Sequence, residues 1–161
     1  CQTLEDAEFM VKNKLHKLNV AVTKSIPDTA CRVIGHDTQL EQVFMNLISN
    51  ACDAMKDVEK PTLEITLTER NDEEKGRQWV GLVRDGGVGI PETERKRVFD
   101  SFFTTKVRGE GTGLGLAIVN SIVHDHGGAI ELDSEVDVGT TFRIVLPVAD
   151  ESNRPVILAI E

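Results

Sequence analysis

Tyrosine is missing from this chain, tryptophan occurs once, and aromatic residues make up 4% of its 161 residues. Cysteine is almost as scarce. Cys1, Cys31 and Cys52 show neither paired nor CxxC spacing, which excludes a disulfide framework and a thiolate metal site and predicts a reduced, cytoplasmic setting. No apolar run approaches membrane-span length, so direct membrane contact is not expected. Positive charge is in deficit: 18 Lys and Arg against 27 Asp and Glu leave a formal charge of −9. That excludes a general nucleic-acid or anionic-membrane surface, and any phosphate the chain binds must be held by local backbone donors and a metal. Internal repeats and low-complexity tracts are absent. So are GxxxxGK[ST] and a GxGxxG after a strand, which removes the P-loop and Rossmann readings. The chain opens on Cys1 without a signal peptide, and a segment of a longer protein is expected.

What is present fits one domain with a substantial core, since 40% of the residues are hydrophobic. Residues 40–55, LEQVFMNLISNACDAM, are the most informative stretch. Leu40, Val43, Phe44, Leu47, Ile48, Ala51 and Met55 recur at helical spacing and gather into one apolar stripe. Beside it Gln42, Asn46, Asn50 and Asp53 fall within an arc of about 80° at about 100° per residue. Asn and Asp are poor helix-interior residues, so stacking them mid-helix points to a ligand. A carboxamide oxygen suits Mg²⁺, which takes one or two protein groups and leaves the rest to water and phosphate. Taken alone, such a stripe is more often a solvated face.

The remaining elements follow from periodicity. Leu4, Ala7, Met10, Val11, Leu15 and Leu18 predict a helix, Val20 and Val22 a strand, and residues 25–28 a turn. His36 is read as a loop residue, and Thr38 with Glu41 as a capping box opening the central helix. Leu63, Ile65 and Leu67 alternate with polar residues, and a polar turn over residues 71–77 leads into residues 79–83, predicting an antiparallel hairpin. It ends on Asp85 before Gly86, Gly87 and Gly89, a pattern that on its own suits a tight turn. Residues 93–98 read as a short charged helix, and Phe99, Phe102 and Phe103 concentrate half of the six phenylalanines. Gly111, Gly113 and Gly115 lead into a helix carrying Leu116, Ile118, Val119, Ile122 and Val123, a phosphate-cradle arrangement at a helix N-terminus. His124, His126, Gly127 and Gly128 read as helix end and turn, and residues 129–132 and 141–146 as strands.

Taken together, NLISNACDAM, DGGVGI, FDSFFTTK and GTGLGL resemble, in order and spacing, the N, G1, F and G2 boxes of the catalytic ATP-binding domain of bacterial sensor histidine kinases. The resemblance covers about residues 4–147, and four ordered boxes are far more specific than any one. It implies an α/β fold, a two-layer sandwich of Bergerat type with a mixed sheet, helices on one face and a mobile lid over Mg²⁺-ATP. By that resemblance Asn50 is the Mg²⁺ ligand and, with Asn46, serves catalysis, while Asn46 and Asp53 line the phosphate and sugar side. Asp85 accepts the adenine amino hydrogen, with Gly87, Gly89 and Ile90 around the base. Phe99, Thr104, Thr105 and Lys106 belong to the lid; Gly111, Thr112, Gly113, Leu114, Gly115 and Leu116 hold the phosphates; Thr141 lies at the matching strand entry.

Two positions depart from the family's pattern: Gly86 replaces the usual Asn and Ser101 the usual Pro. His16, His36, His124 and His126 lack the acidic helical setting of the family's phospho-acceptor. The resemblance therefore implies the ATP-holding half of a kinase, residues 1–150, with residues 151–161 a linker or the start of another element. The implied partners are a phospho-acceptor helical hairpin of the parent and a downstream response regulator. An ATP-driven switch of the same superfold would keep a glutamate one turn before the metal-binding Asn, and Asn46 occupies that place without being able to act as a base.

Overall fold

The apolar stripe of the central stretch becomes the inner face of α2 (Asp37–Ala54), where Leu40, Val43, Phe44, Leu47, Ile48, Ala51 and Cys52 are buried. This is a computed structural model, which describes residues 2–27, 32–33, 35–104 and 112–149. The capping box expected at Thr38 does not form. The helix starts earlier: the His36 carbonyl already accepts the N–H groups of Gln39 and Leu40, His36 occupies the cap position, and Thr38 lies inside the first turn. Asp37 takes over locally, its Oδ1 accepting the Thr38 N–H at 2.8 Å.

α1 (Gln2–Lys17) lies along α2 and buries Leu4, Ala7, Val11 and Leu15. β1 (Ala21–Ser25) follows and pairs in parallel with β2 (Thr62–Asp72), so α2 is the crossover of a β-α-β unit. β2 runs antiparallel to β3 (Gly76–Asp85), β3 to β5 (Gly139–Pro147), and β5 to β4 (Ala129–Glu135), giving the order β1-β2-β3-β5-β4. The hairpin strands are longer than their apolar alternation suggests. Asn71 pairs with Arg77 and Asp72 with Gly76, so the reversal is confined to residues 73–75. There Asp72 Oδ1 accepts the Glu74 and Lys75 N–H groups at 3.1 and 2.9 Å, which holds this carboxyl below its usual range.

Strand alternation sends Leu63, Ile65, Leu67, Trp79, Val83, Phe142, Ile144 and Leu146 into one core with α1, α2 and α4 (Gly115–Asp125). The result is a two-layer α/β sandwich with a mixed sheet. α3 is shorter than its charged sequence predicts, spanning only Glu92–Arg95 directly after Pro91. At the far end of α4 the buried His126 joins the two helices: the His36 N–H donates to its Nε2 at 3.1 Å, leaving Nδ1–H to donate to the Ile122 carbonyl at 2.7 Å.

Candidate functional site

Asp85 ends β3 opposite Leu63 of β2 and Thr140 of β5. It is 4% exposed. Its carboxylate accepts the Gly87 N–H at 2.9 Å and the Thr140 N–H. Burial pushes its pKa up to about 6, although both N–H donors pull the other way. A carboxylate offers about four lone-pair sites, so acceptor capacity remains for a ligand's N–H.

The turn after Asp85 is tied at nearly every residue. Gly86 N–H donates to the Thr62 carbonyl (3.0 Å) and Val88 N–H to Ala54 (3.1 Å), while the Val88 carbonyl accepts from Asp137 N–H (2.9 Å). The Ile90 N–H donates to Ser134 Oγ at 2.8 Å, and Arg95 Nε donates to the Ile90 carbonyl at 3.1 Å. Ser134 Oγ also bonds the Gly139 carbonyl (3.0 Å) and Thr140 Oγ1 (2.9 Å). Two glycines make this packing possible. A Cβ at Gly87 would stand 2.7 Å from both Ala54 Cβ and Asp85 Oδ1, so the turn meets the end of α2 with no side chain between. Gly89 has φ +70°, and a Cβ there would fall 2.0 Å from the Glu135 carbonyl oxygen.

The other end of the site is built on helices. Asn46 Nδ2 donates to the Gly115 carbonyl at 3.3 Å, and a Cβ built on Gly115 would lie 4.0 Å from Asn50 Nδ2. The α4 N-terminus therefore lies against the carboxamide stripe. Leu114, its cap residue, makes no side-chain cap bond; its own N–H donates to Thr112 Oγ1 at 3.3 Å. A helix start with its positive dipole end beside two carboxamides suits a phosphate. Asp53, farther along the stripe, is paired with Lys14 of α1 at 2.5 Å.

Between the ends lies the F-box segment. Phe99 packs edge-on against Phe142 with centroids 6.4 Å apart, and the Arg97 guanidinium sits 4.6 Å from the Phe103 ring centroid. Phe102 is exposed with φ +68°, its N–H donating to the Gly113 carbonyl at 2.8 Å. Thr104 is exposed; Thr105, Lys106 and Gly111 lie outside the described residues. Leu116 packs against the core, which leaves its backbone as the group available to a ligand. Thr141 pairs with Arg84, and alternation turns it away from the helices. Its neighbour Thr140 is the one beside Asp85, buried and bonded to Ser134.

Lys14 and Ser134 are absent from the sequence-derived set. Lys14 sits about 20° from Ala7 on the helical wheel, flanking the apolar face, a weak signal that only the α1–α2 packing makes specific. Ser134 has no local signal at all, since its partners lie across a turn and in another loop. The donor set fits Mg²⁺-ATP. Among the described residues no group of three or more His, Cys, Asp or Glu could cage a metal.

A model of the family described as histidine kinase-, DNA gyrase B-, and HSP90-like ATPase matches residues 35–150. The chain is 38% identical over 146 residues to the sensory histidine kinase/phosphatase NtrB of Rhizobium leguminosarum bv. phaseoli, covering 84% of this chain and 37% of that protein. It is 43% identical over 128 residues to the sensor kinase CckA of Brucella abortus (strain 2308), covering 72% of this chain and 13% of that one. Both relatives thus extend well beyond the matched region. Among solved structures, the catalytic domain of the histidine kinase ThkA, in a nucleotide-free form, aligns with a TM-score of 0.76 at 28% identity over 91% of this chain and 92% of that one.

Proposed function

Because the chain belongs to the family of histidine kinase-, DNA gyrase B- and HSP90-like ATPases, and resembles the sensor histidine kinases within it, we propose that it binds Mg²⁺-ATP and donates the γ-phosphoryl group to a histidine on a separate helical hairpin of its parent kinase. The observation that carries this reading is the approach of the α4 N-terminus to Asn46 and Asn50, on the same C-terminal half of α2 whose last residue, Ala54, meets the turn after the buried Asp85.

Asp85 accepts the adenine amino hydrogen and rejects guanine, which presents a carbonyl there. Gly87, Gly89 and Ile90 keep the base against the tied turn. Asn50 would hold the Mg²⁺, which when bound supplies charge neutralisation along the phosphates. The N-terminal N–H groups of α4, with Thr112, Gly113, Leu114, Gly115 and Leu116, hold the phosphate oxygens, and Asn46 orients them without acting as a base. Phe99 and Thr104 belong to the lid side with Thr105, Lys106 and Gly111, which lie outside the described residues, and Thr140 rather than Thr141 stands beside Asp85 at the strand entry.

Because Asn46 cannot activate a water as a base, bond cleavage waits for the external imidazole: its nitrogen forms the P–N bond as the bond to the ADP oxygen breaks. Residues 1–150 form the ATP-holding unit, and residues 151–161, a linker or the start of a following element, lie outside the described residues. A response regulator receives the phosphoryl group downstream, in the cytoplasm. No described helix is long and apolar enough to cross a membrane.

Mixing tests this. The chain with γ-labelled ATP and the separately produced acceptor hairpin of the parent should give an acid-labile, base-stable label on the hairpin and none on the chain. Brisk phosphate release by the chain alone, with an unlabelled hairpin, replaces the kinase by an ATP-driven switch.

A further inference from the structure

From α1, the Lys14 side chain reaches the polar flank of α2. Its ammonium lies 2.5 Å from Asp53 Oδ1 and donates to Ser49 Oγ at 2.9 Å and to the Ser49 carbonyl at 3.4 Å. These contacts match the three donors of an ammonium, all directed at one turn of α2. Its stem is held in place, because Val11 and Leu15 on either side are buried against α2. Asp53 follows Asn50 by one turn on the stripe that also carries Asn46, and its side chain is 28% exposed.

A carboxylate in that place poses a problem for the proposed ligand, on which this inference rests. A nucleotide triphosphate brings several negative charges to a chain that already carries −9. An uncompensated Asp53 would repel it at short range. We propose that Lys14 is a positioning residue for the nucleotide: it cancels the Asp53 charge and draws that carboxylate to the Ser49 side, so the phosphates meet carboxamides and helix N–H groups. Half-exposed ion pairs add little to folding stability, so the variants below should remain folded.

The experiment is a double-mutant cycle. Affinities for Mg²⁺-ATP and for adenosine are measured on the wild type, Lys14→Gln, Asp53→Asn and the double variant, with Lys14→Arg as the charge-keeping control and unfolding midpoints throughout. Lys14→Gln should weaken Mg²⁺-ATP about tenfold and adenosine less than about twofold, since only the former carries the repelled charge. In the Asp53→Asn background the same change should cost less than about twofold, and Lys14→Arg should stay near wild type. The inference is overturned by unchanged Mg²⁺-ATP affinity in Lys14→Gln, by equal losses for both ligands, or by a tenfold loss that persists without Asp53, which would put Lys14 on the phosphates themselves. A wild type that binds no Mg²⁺-ATP overturns both this inference and the reading beneath it; a wild type that binds beside an unaffected Lys14→Gln overturns this inference alone.

Discussion

The two ends of the site are made of different material. At the Asp85 end, recognition groups are part of the fold: Asp85, Ser134 and Thr140 are buried, and the turn over residues 86–90 is bonded to β2, α2, α3 and the β4–β5 turn. At the Asn50 end the groups are half-exposed side chains on a helix flank, facing the start of another helix. A base is flat, has fixed donors and rewards a rigid pocket, whereas phosphates are mobile, hydrated and metal-bound. On the proposed reading, preorganisation lies where shape is read and the open side chains where charge is handled.

The sharpest way to break that distinction is Gly89→Ala. The new methyl group would occupy a left-handed backbone position and strike the Glu135 carbonyl. Pulling the turn off β4 should cost about 4 kcal/mol of folding stability, read as a lowered denaturant midpoint, because strain and lost packing combine. Asn50→Ala should do the reverse: a loss of Mg²⁺-ATP affinity of at least about a hundredfold by calorimetry with an unfolding midpoint close to wild type. If Asn50→Ala unfolds the protein, or Gly89→Ala leaves stability untouched, the ends do not differ as described.

That difference also governs what could be read from residues alone. The helical end was legible because periodicity is local: Asn46, Asn50 and Asp53 stand out wherever the stripe is drawn, and the helix starting near Gly115 announces itself by its glycines. Its one surprise, Lys14, comes from another helix. The strand end was legible only through resemblance, since its geometry is set by register between distant strands. Nothing local distinguishes Thr140 from Thr141; pairing with Asp85 does. The capping box failed for a related reason. Thr38 and Glu41 match the pattern, yet the tie from His126 to the His36 N–H, a contact spanning 90 residues, accompanies a helix start one residue before Thr38. As for Gly86, a Cβ there would meet Thr62 Oγ1 at 2.8 Å, so the usual Asn would require that hydroxyl to move.

Asp85 gives a pH test of the same contrast. Its carboxyl titrates near 3.8 when free and about 6 in the fold. The folded state therefore binds this proton more tightly, so stability falls as pH rises from about 4 to about 6 and stays level above, by up to about 3 kcal/mol. Binding runs the other way, since only the ionised group is a pure acceptor. Mg²⁺-ATP affinity should rise through the same window. Asp85→Asn, compared with wild type by thermal unfolding across pH 4–8, should remove this component of the stability slope and shrink the preference for adenine over guanine. A variant that keeps both unchanged would deny Asp85 its role in the pocket.

Ser134→Ala is the mildest way to sharpen the contrast, and it isolates rigidity from contact. The hydroxyl accepts from the Ile90 N–H and from Thr140 Oγ1 and donates its proton to the Gly139 carbonyl, so all its bonds stay inside the protein. Removing it strips the Ile90 N–H of its partner where water enters poorly, a loss of about 1 to 2 kcal/mol in stability. If base recognition depends on the turn being held, adenosine and ATP should weaken by the same modest factor, about threefold to tenfold, because both share the base. A loss confined to ATP would instead tie this serine to the phosphate end. Loss of stability with unchanged affinity for either ligand would mean that the turn finds its binding shape without Ser134, and that the buried end is rigid for the sake of the fold rather than of the ligand.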